Sequence, residues 1–302
     1  MTYSSEIGWS KPTTMPKYVG AQDFMSMTNE TRYNDNNAGK WNQVYSQDLI
    51  DNYLSYNAQD PDKYPITDWD DLLYKKSASR QTHSFTIAGG GNVVRTKASF
   101  RYDKDNALYI NRNYERYMLR INNDFQINKF LEAHLDVSYK RSLYKAPLIN
   151  PYYNDNRKTP PIYAARWSNG LWGDVKDGAN VLARLTDGGE SKTWYNRVSA
   201  KAELDIKPFE GLKLSAVVAP TYNFDKGKTF RKQVPYTYAD DPNTVKGYMQ
   251  DFYTTMLTEN RNESNELISQ FFVNYTKSFG QHNIAAMAGY DDYYSFYECI
   301  SA

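Results

Sequence analysis

Five aspartates, Asp60, Asp62, Asp68, Asp70 and Asp71, fall within one short stretch. At that density calcium binding is the first chemistry to consider. The spacing does not fit an EF-hand loop, which needs a glycine at its sharp turn and a glutamate at its end. Carboxylates that cap turns are the expected role. Asp70 and Asp71 could begin a glycosidase-like carboxylate pair, but no second partner stands at a suitable spacing. The histidines, His83, His134 and His282, are far apart and form no His-Glu-x-x-His pattern. Gly89-Gly90-Gly91 invites a phosphate-loop reading. No Gly-Lys-Ser/Thr follows it, and strand-like runs flank it on both sides, so a tight hairpin turn is expected. Cys299 is the sole cysteine, which excludes an intrachain disulfide and a thiolate metal cluster. No Gly-x-Ser-x-Gly elbow occurs. No catalytic residue, metal set or cofactor is read from the sequence, and no enzyme activity is expected.

Binding, rather than reaction, is what the aromatic residues suggest. Tyr152, Tyr153, Tyr163, Trp167 and Trp172 follow Pro147 in a long segment without strand periodicity. Exposed rings there would stack on sugars or on peptide side chains. Equally, they would pack the segment against itself. Both readings stand at this stage, and these five are the candidate substrate contacts.

The composition narrows the partners. The 302 residues carry 36 Lys+Arg against 35 Asp+Glu, a net charge of +1. Such balance lacks the basic signature of a nucleic-acid binder. Mean hydropathy is -0.77 although 16% of residues are aromatic, because 28 of them are tyrosines. Tyrosine joins an apolar ring to a polar tip and suits half-wet surfaces. No apolar run approaches the roughly 18 residues of a transmembrane helix.

The elements that must position these residues alternate with period two. Tyr117, Leu119, Ile121, Phe125 and Ile127 interleave with Arg120, Asn122, Asp124 and Gln126. Leu131, Ala133, Leu135, Val137 and Tyr139 interleave with Glu132, His134, Asp136, Ser138 and Lys140. Similar runs cover 198–207, 212–224 and 266–279. These read as long strands with one apolar and one polar face. Tyr3–Ser10 adds a further strand, and Ala21–Glu30 has helical spacing through Phe24 and Met27. Short turns at 89–92, 128–130, 208–211 and 280–282 alternate with long links. Short turns on one side and long loops on the other are the pattern of a transmembrane β-barrel. The expected fold is therefore all-β, an antiparallel transmembrane barrel segment of roughly nine strands. The whole of 1–302 reads as one partial barrel domain. Within it, 11–82 is a structured extracellular loop, and 145–192 and 226–263 are long extracellular loops. Alternation sets Leu119, Ile121, Leu135 and Val137 toward lipid, and Arg120, Asp124, Glu132, His134 and Lys140 toward the lumen.

Several motifs carry a family resemblance. Asp60-Pro61-Asp62-Lys63-Tyr64-Pro65-Ile66-Thr67-Asp68-Trp69 resembles the "DP..YPNTDW" signature of SusC/RagA-type TonB-dependent outer-membrane transporters. His83 to Gly91 is similar to the hairpin that follows it in that family. Lys97-Ala98-Ser99-Phe100-Arg101-Tyr102 is similar to its "Y-A-S-L-G-Y" strand, with Arg101 in place of glycine. Tyr114-Glu115-Arg116-Tyr117-Met118-Leu119-Arg120 resembles the next strand, and Lys11 to Glu30 the region upstream.

The resemblance implies an outer-membrane importer of nutrients such as oligosaccharides or peptides. It also implies TonB and a SusD-like surface lipoprotein as partners of the intact transporter. A complete barrel of this class has roughly 22 strands, so the chain is expected to be the first part of a barrel, without signal peptide, plug or final strands. Two alternatives compete: a small self-contained outer-membrane barrel with a structural or adhesive role, and a soluble carbohydrate-binding β domain.

Overall fold

The computed structural model describes residues 1–15, 17–36, 38–151, 159–241 and 243–302. Its frame is one nine-stranded antiparallel sheet: β1 (Thr2–Ser10), β2 (Ala78–Gly90), β3 (Val94–Asn106), β4 (Asn113–Asn128), β5 (Leu131–Ala146), β6 (Gly189–Ile206), β7 (Leu212–Arg231), β10 (Met256–Phe279) and β11 (His282–Ser301). Strands neighbour one another in chain order throughout. The expected nine strands are all present, including the one at the N-terminus.

The register explains the alternation. Phe85, Phe100, Leu119, Tyr139, Val198 and Tyr222 form one cross-strand row. Ala98, Ile121, Val137 and Ala200 form the next row on that face. Between them, on the opposite face, lie Ser99, Arg120, Ser138, Ser199 and Thr221. A one-residue slip anywhere would put an apolar side chain into a polar row, so the pattern pins the pairing. The apolar face is uncovered: Phe100, Leu119, Leu135, Val137, Leu204 and Phe271 are all exposed. Contiguous apolar surface on this scale marks a face that meets lipid or another partner rather than water.

Two of the competing readings meet obstacles here. The sheet does not close on itself, because β1 and β11 lie at its two ends and each pairs on one side only. That argues against a self-contained barrel of these strands. A soluble β domain would cover its apolar face, and this one is bare.

The strands outrun a bilayer. Crossing needs roughly 9–11 residues, whereas β7 has 20 and β10 has 24. The surplus lies at the long-loop end, so the loops are shorter than the sequence suggests. They span 11–77, 147–188 and 232–255 rather than 11–82, 145–192 and 226–263. Side-chain polarity stops alternating once both faces are wet, but ladder hydrogen bonds continue, and polarity was the only sequence signal for a strand end.

Buried apolar residues concentrate in these loops, which form a canopy at one end of the sheet. The first loop carries α1 (Ala21–Asp35), α2 (Gln47–Gln59) and α3 (Trp69–Leu73). α1 extends five residues beyond the expected Glu30, and α2 and α3 were not anticipated. α1 buries Ala21, Met25 and Asn29 at successive i+4 positions against Ile50 and Tyr53 of α2. Ser46 caps α2 by accepting from the Leu49 N–H, and Asp68 caps α3 by accepting from the Asp71 N–H. The other loops add α4 (Val181–Thr186) and a small sheet of β8 (Pro235–Thr237) and β9 (Val245–Tyr248). A second core draws Trp69 and Leu73, Val181 and Leu185, and Val234 and Phe252 together from all three loops.

Candidate functional site

The polar face of the sheet is a dense, charge-compensated surface. Arg120, Asp124, Glu132, His134 and Lys140 all lie on it, since they occupy even positions of paired strands in one register. Asp124 and His134 face each other across β4 and β5, with Asp124 Oδ1 2.7 Å from His134 Nδ1. Lys207 donates to Glu132 at 2.6 Å, and Lys201 donates to Glu203 at 2.7 Å. Asn122 donates to Asp136. Nearer the canopy, Asp103 accepts from Thr82 at 2.8 Å, Arg101 at 2.8 Å and Arg116 at 2.9 Å. Asp205 of β6 sits among these groups at only 2% exposure, held by Ser215 at 2.6 Å and Lys213 at 2.7 Å. Its burial is not visible from alternation, which gives a residue's face but not its depth. Glu132, His134 and Asp205 each offer a ligand atom, and these atoms lie within 4.8 Å of one another. Of the three histidines, His83 belongs to the apolar-face row through Tyr102 and Tyr117, and His282 starts β11 at the short-turn end. The fold does not unite them.

In the canopy the predicted contacts part company. Tyr152 and Tyr153 lie outside the described residues. Trp172 is no surface platform: it is 6% exposed, its indole N–H donates to Asp187 at 2.8 Å, and the Arg166 guanidinium lies 3.3 Å above its ring. It packs the loop against itself, so its assignment as a substrate contact is corrected. Tyr163 packs against the same core. Trp167 is half-buried, donates to the Thr237 carbonyl at 3.0 Å and lines a cleft of about 190 Å³ with Asp62 and Ser168.

A larger cleft, about 810 Å³, opens between the segment before α1, the α3 region and residues 159–161. Tyr18, Phe24, Trp69 and Tyr74 give it aromatic walls, and Lys17, Lys75, Lys76, Asp68, Asp70 and Asp71 give it both signs of charge. Such a lining suits a ligand with apolar bodies and polar edges, as sugars and peptides have. Sequence reasoning missed it because its walls come from three separated segments. Three of the five aspartates are spent on structure: Asp60 accepts from the Lys63 N–H, Asp62 from the Ser168 N–H and hydroxyl, and Asp68 caps α3.

Canopy polar groups are individually fixed. Asn29, fully buried, accepts from the N–H groups of Val44 and Tyr45 and donates to the Tyr45 carbonyl at 2.7 Å. Burial pushes the Tyr53 hydroxyl up to about 12, with Tyr45 and Tyr64 adding to the effect, and it donates to the Pro65 carbonyl. Burial alone would lower the Lys246 ammonium, but hydrogen bonds to Asp174 and Tyr238 hold it above its ordinary value. Beside it, Val175, Lys176 and Asp177 take φ of 31°, 45° and 58°, followed by Gly178 at 91°. This left-handed turn seats Gly178 against Tyr236, where a Cβ would stand 3.1 Å from the ring.

Comparison with known proteins fits this geometry. No family model matches the chain. The TonB-dependent receptor P3 of Formosa agariphila is 25% identical over 258 residues, which is 82% of this chain and 24% of that protein. The chain thus spans about a quarter of the length of that curated relative. A solved structure of the RagAB peptide transporter superposes with a TM-score of 0.74 over 99% of this chain and 35% of its own, at 16% identity. The RagAB peptide importer in its open-open state gives 0.72 at 17% identity over the same shares. These likenesses show the fold: the chain is a sector of a barrel of the kind those solved structures have. Curated relative and shared fold therefore agree with the motif order: the chain is similar to a TonB-dependent receptor and has the fold of part of the RagAB transporter.

Proposed function

We propose that this chain forms a sector of barrel wall and extracellular canopy in a TonB-dependent outer-membrane importer of nutrients such as oligosaccharides or peptides. One observation carries the reading. A nine-stranded sheet exposes an apolar face, keeps most charges of its short-turn half on the other face, and gathers its buried cores in the loops at one end. Only a wall between lipid and a wet lumen satisfies both faces at once. The wall supplies no chemistry; Arg120, Asp124, Glu132, His134 and Lys140 line the lumen. The canopy clefts beside Trp69 and Trp167 meet the ligand first. By resemblance, a SusD-like surface lipoprotein and TonB are the partners, and the similarity to a peptide transporter favours peptides among the ligands. The test is genetic. Disruption of the gene in its own host should abolish growth on one class of oligosaccharide or peptide, and loss of TonB should reproduce the defect. Unchanged uptake of every class in both strains would refute the reading.

A further inference from the structure

The polar-face cluster at the short-turn end of β5 and β6 has a geometry that charge compensation does not explain. Glu132 and His134 stand two residues apart on one strand, so both project to the same face, and Asp205 lies directly across from Glu132 on β6. Asp124, opposite His134 on β4, takes the other ring nitrogen: Nδ1 is 2.7 Å from its carboxylate. A carboxylate at Nδ1 fixes the tautomer with the proton there and leaves Nε2 with a lone pair. That lone pair faces Asp205 Oδ2 at 3.8 Å, too long for a hydrogen bond. The Glu132 carboxylate completes a set of ligand atoms mutually within 4.8 Å. Three lone-pair donors thus converge, one of them on a carboxylate that is 2% exposed. Donors about 2.1 Å from a tetrahedral ion stand roughly 3.4 Å apart, so small side-chain movements would close the set on a cation. A cleft of about 170 Å³, lined by Arg95, Asp124, Glu132 and His134, opens onto it.

We propose that Glu132, His134 and Asp205 form a divalent transition-metal site of zinc type, with Asp124 orienting the imidazole and water at the remaining position. A carboxylate–histidine–metal arrangement of this kind is how proteins set ring orientation and basicity at a metal. Lys207 and Lys213 now neutralise Glu132 and Asp205 at 2.6 and 2.7 Å. Each keeps 40% of its side chain exposed, so its ammonium can swing into water when the ion enters. The lysines therefore act as internal competitors for the metal.

The experiment uses the intact outer-membrane protein that carries this chain, purified in detergent and stripped with chelator. Zn²⁺ is titrated against a chromophoric chelator, with Mg²⁺ as control, and the bound ion is examined by X-ray absorption. The expected result is one zinc held by a single imidazole and oxygen ligands. His134→Asn and Glu132→Gln should each weaken it at least tenfold, in the range that loss of a ligand or its support produces. Lys207→Met should tighten binding about tenfold, a gain that misfolding could not produce. Failure to bind zinc, equal affinity in His134→Asn, or a zinc site with no imidazole would overturn the assignment. So would Lys207→Met leaving affinity unchanged.

Discussion

Placing one arginine on either face of β4 tests the sidedness of the wall most directly. Ile121 pairs with Ala98 and Val137 in an apolar row, whereas Asn122, the next residue, pairs with Lys97 and Asp136 in a polar one. The two positions share a depth in the bilayer and differ only in face. An arginine on the lipid face of a β-barrel near the midplane costs about 2–4 kcal/mol. At 1.36 kcal/mol per tenfold, that is a loss of roughly 30- to 900-fold in the folding equilibrium. At Asn122 the guanidinium enters the lumen beside Asp136, and attraction to that carboxylate offsets repulsion from Lys97. The expected change is within about 0.5 kcal/mol, as for an ordinary wet surface. The assay is reversible folding of the intact barrel from urea into lipid vesicles, followed by heat-modifiable mobility, for Ile121→Arg and Asn122→Arg side by side. Equal destabilisation of the two variants would refute the face assignment, and a larger penalty at Asn122 would invert it.

Single-cysteine labelling with a lipid-restricted probe should mark Leu119, Leu135 and Val137 and spare Arg120, Asp124 and Asp136; equal labelling would defeat the barrel reading. Asn29→Ala strands the N–H groups of Val44 and Tyr45 in a buried place. It should cost about 3 kcal/mol locally, seen as proteolytic cleavage between α1 and α2 in a barrel that otherwise stays folded. Asp177 holds φ of 58°, so Asp177→Val should cost about 1–2 kcal/mol while Asp177→Gly should be neutral or stabilising; thermal unfolding of the canopy, read by near-ultraviolet dichroism, distinguishes the two. Tyr53 is raised from 10.0 to about 12 by burial. Its folded state holds the proton more tightly than the unfolded one. The stability it contributes is full below pH 10 and is lost as the pH rises through about 12. The tyrosinate absorbance that Tyr53→Phe removes should therefore appear together with loss of α1–α2 helicity; ionisation of all tyrosines with the helices intact would contradict this. The 302-residue polypeptide by itself presents two unpaired edges at β1 and β11. In hydrocarbon such edges cost several kcal/mol per unpaired group, so it should aggregate without detergent and fail to support uptake. A membrane-inserted monomer that restores TonB-dependent growth would show otherwise.

How much of this was legible in the sequence depended on whether a residue's surroundings were set by its own strand. Leu119 against Arg120, or Val137 against Asp136, announce their faces because each side of a barrel wall meets a different solvent. Period two therefore survives along the strand. α2 left little trace because only Ile50 and Tyr53 of its 13 residues are buried, too few for a recognisable stripe. Trp172 and Trp167 are the same residue type in the same loop, and only the approach of Arg166 and of the 232–255 loop decides that one is covered and the other half open. Asp205 reads as another polar-face residue; its burial arises from Lys213 and Ser215 on the next strand. The Trp69 cleft depends on segments almost 150 residues apart, which no local pattern encodes.

The order of strands carries a kinetic consequence. Because the strands of the main sheet pair in chain order, the sheet can grow strand by strand, four of its eight pairings closing only a tight turn. The canopy core cannot grow that way. It needs Trp69 and Leu73 from the first loop, Val181 and Leu185 from the second, and Val234 and Phe252 from the third. These meet only after β7 has been joined by β10. The outer surface of the wall therefore acquires its shape last, as a seal set once the staves beneath it are in place. A chain stalled midway through assembly would hold its strands but no ordered cleft above them.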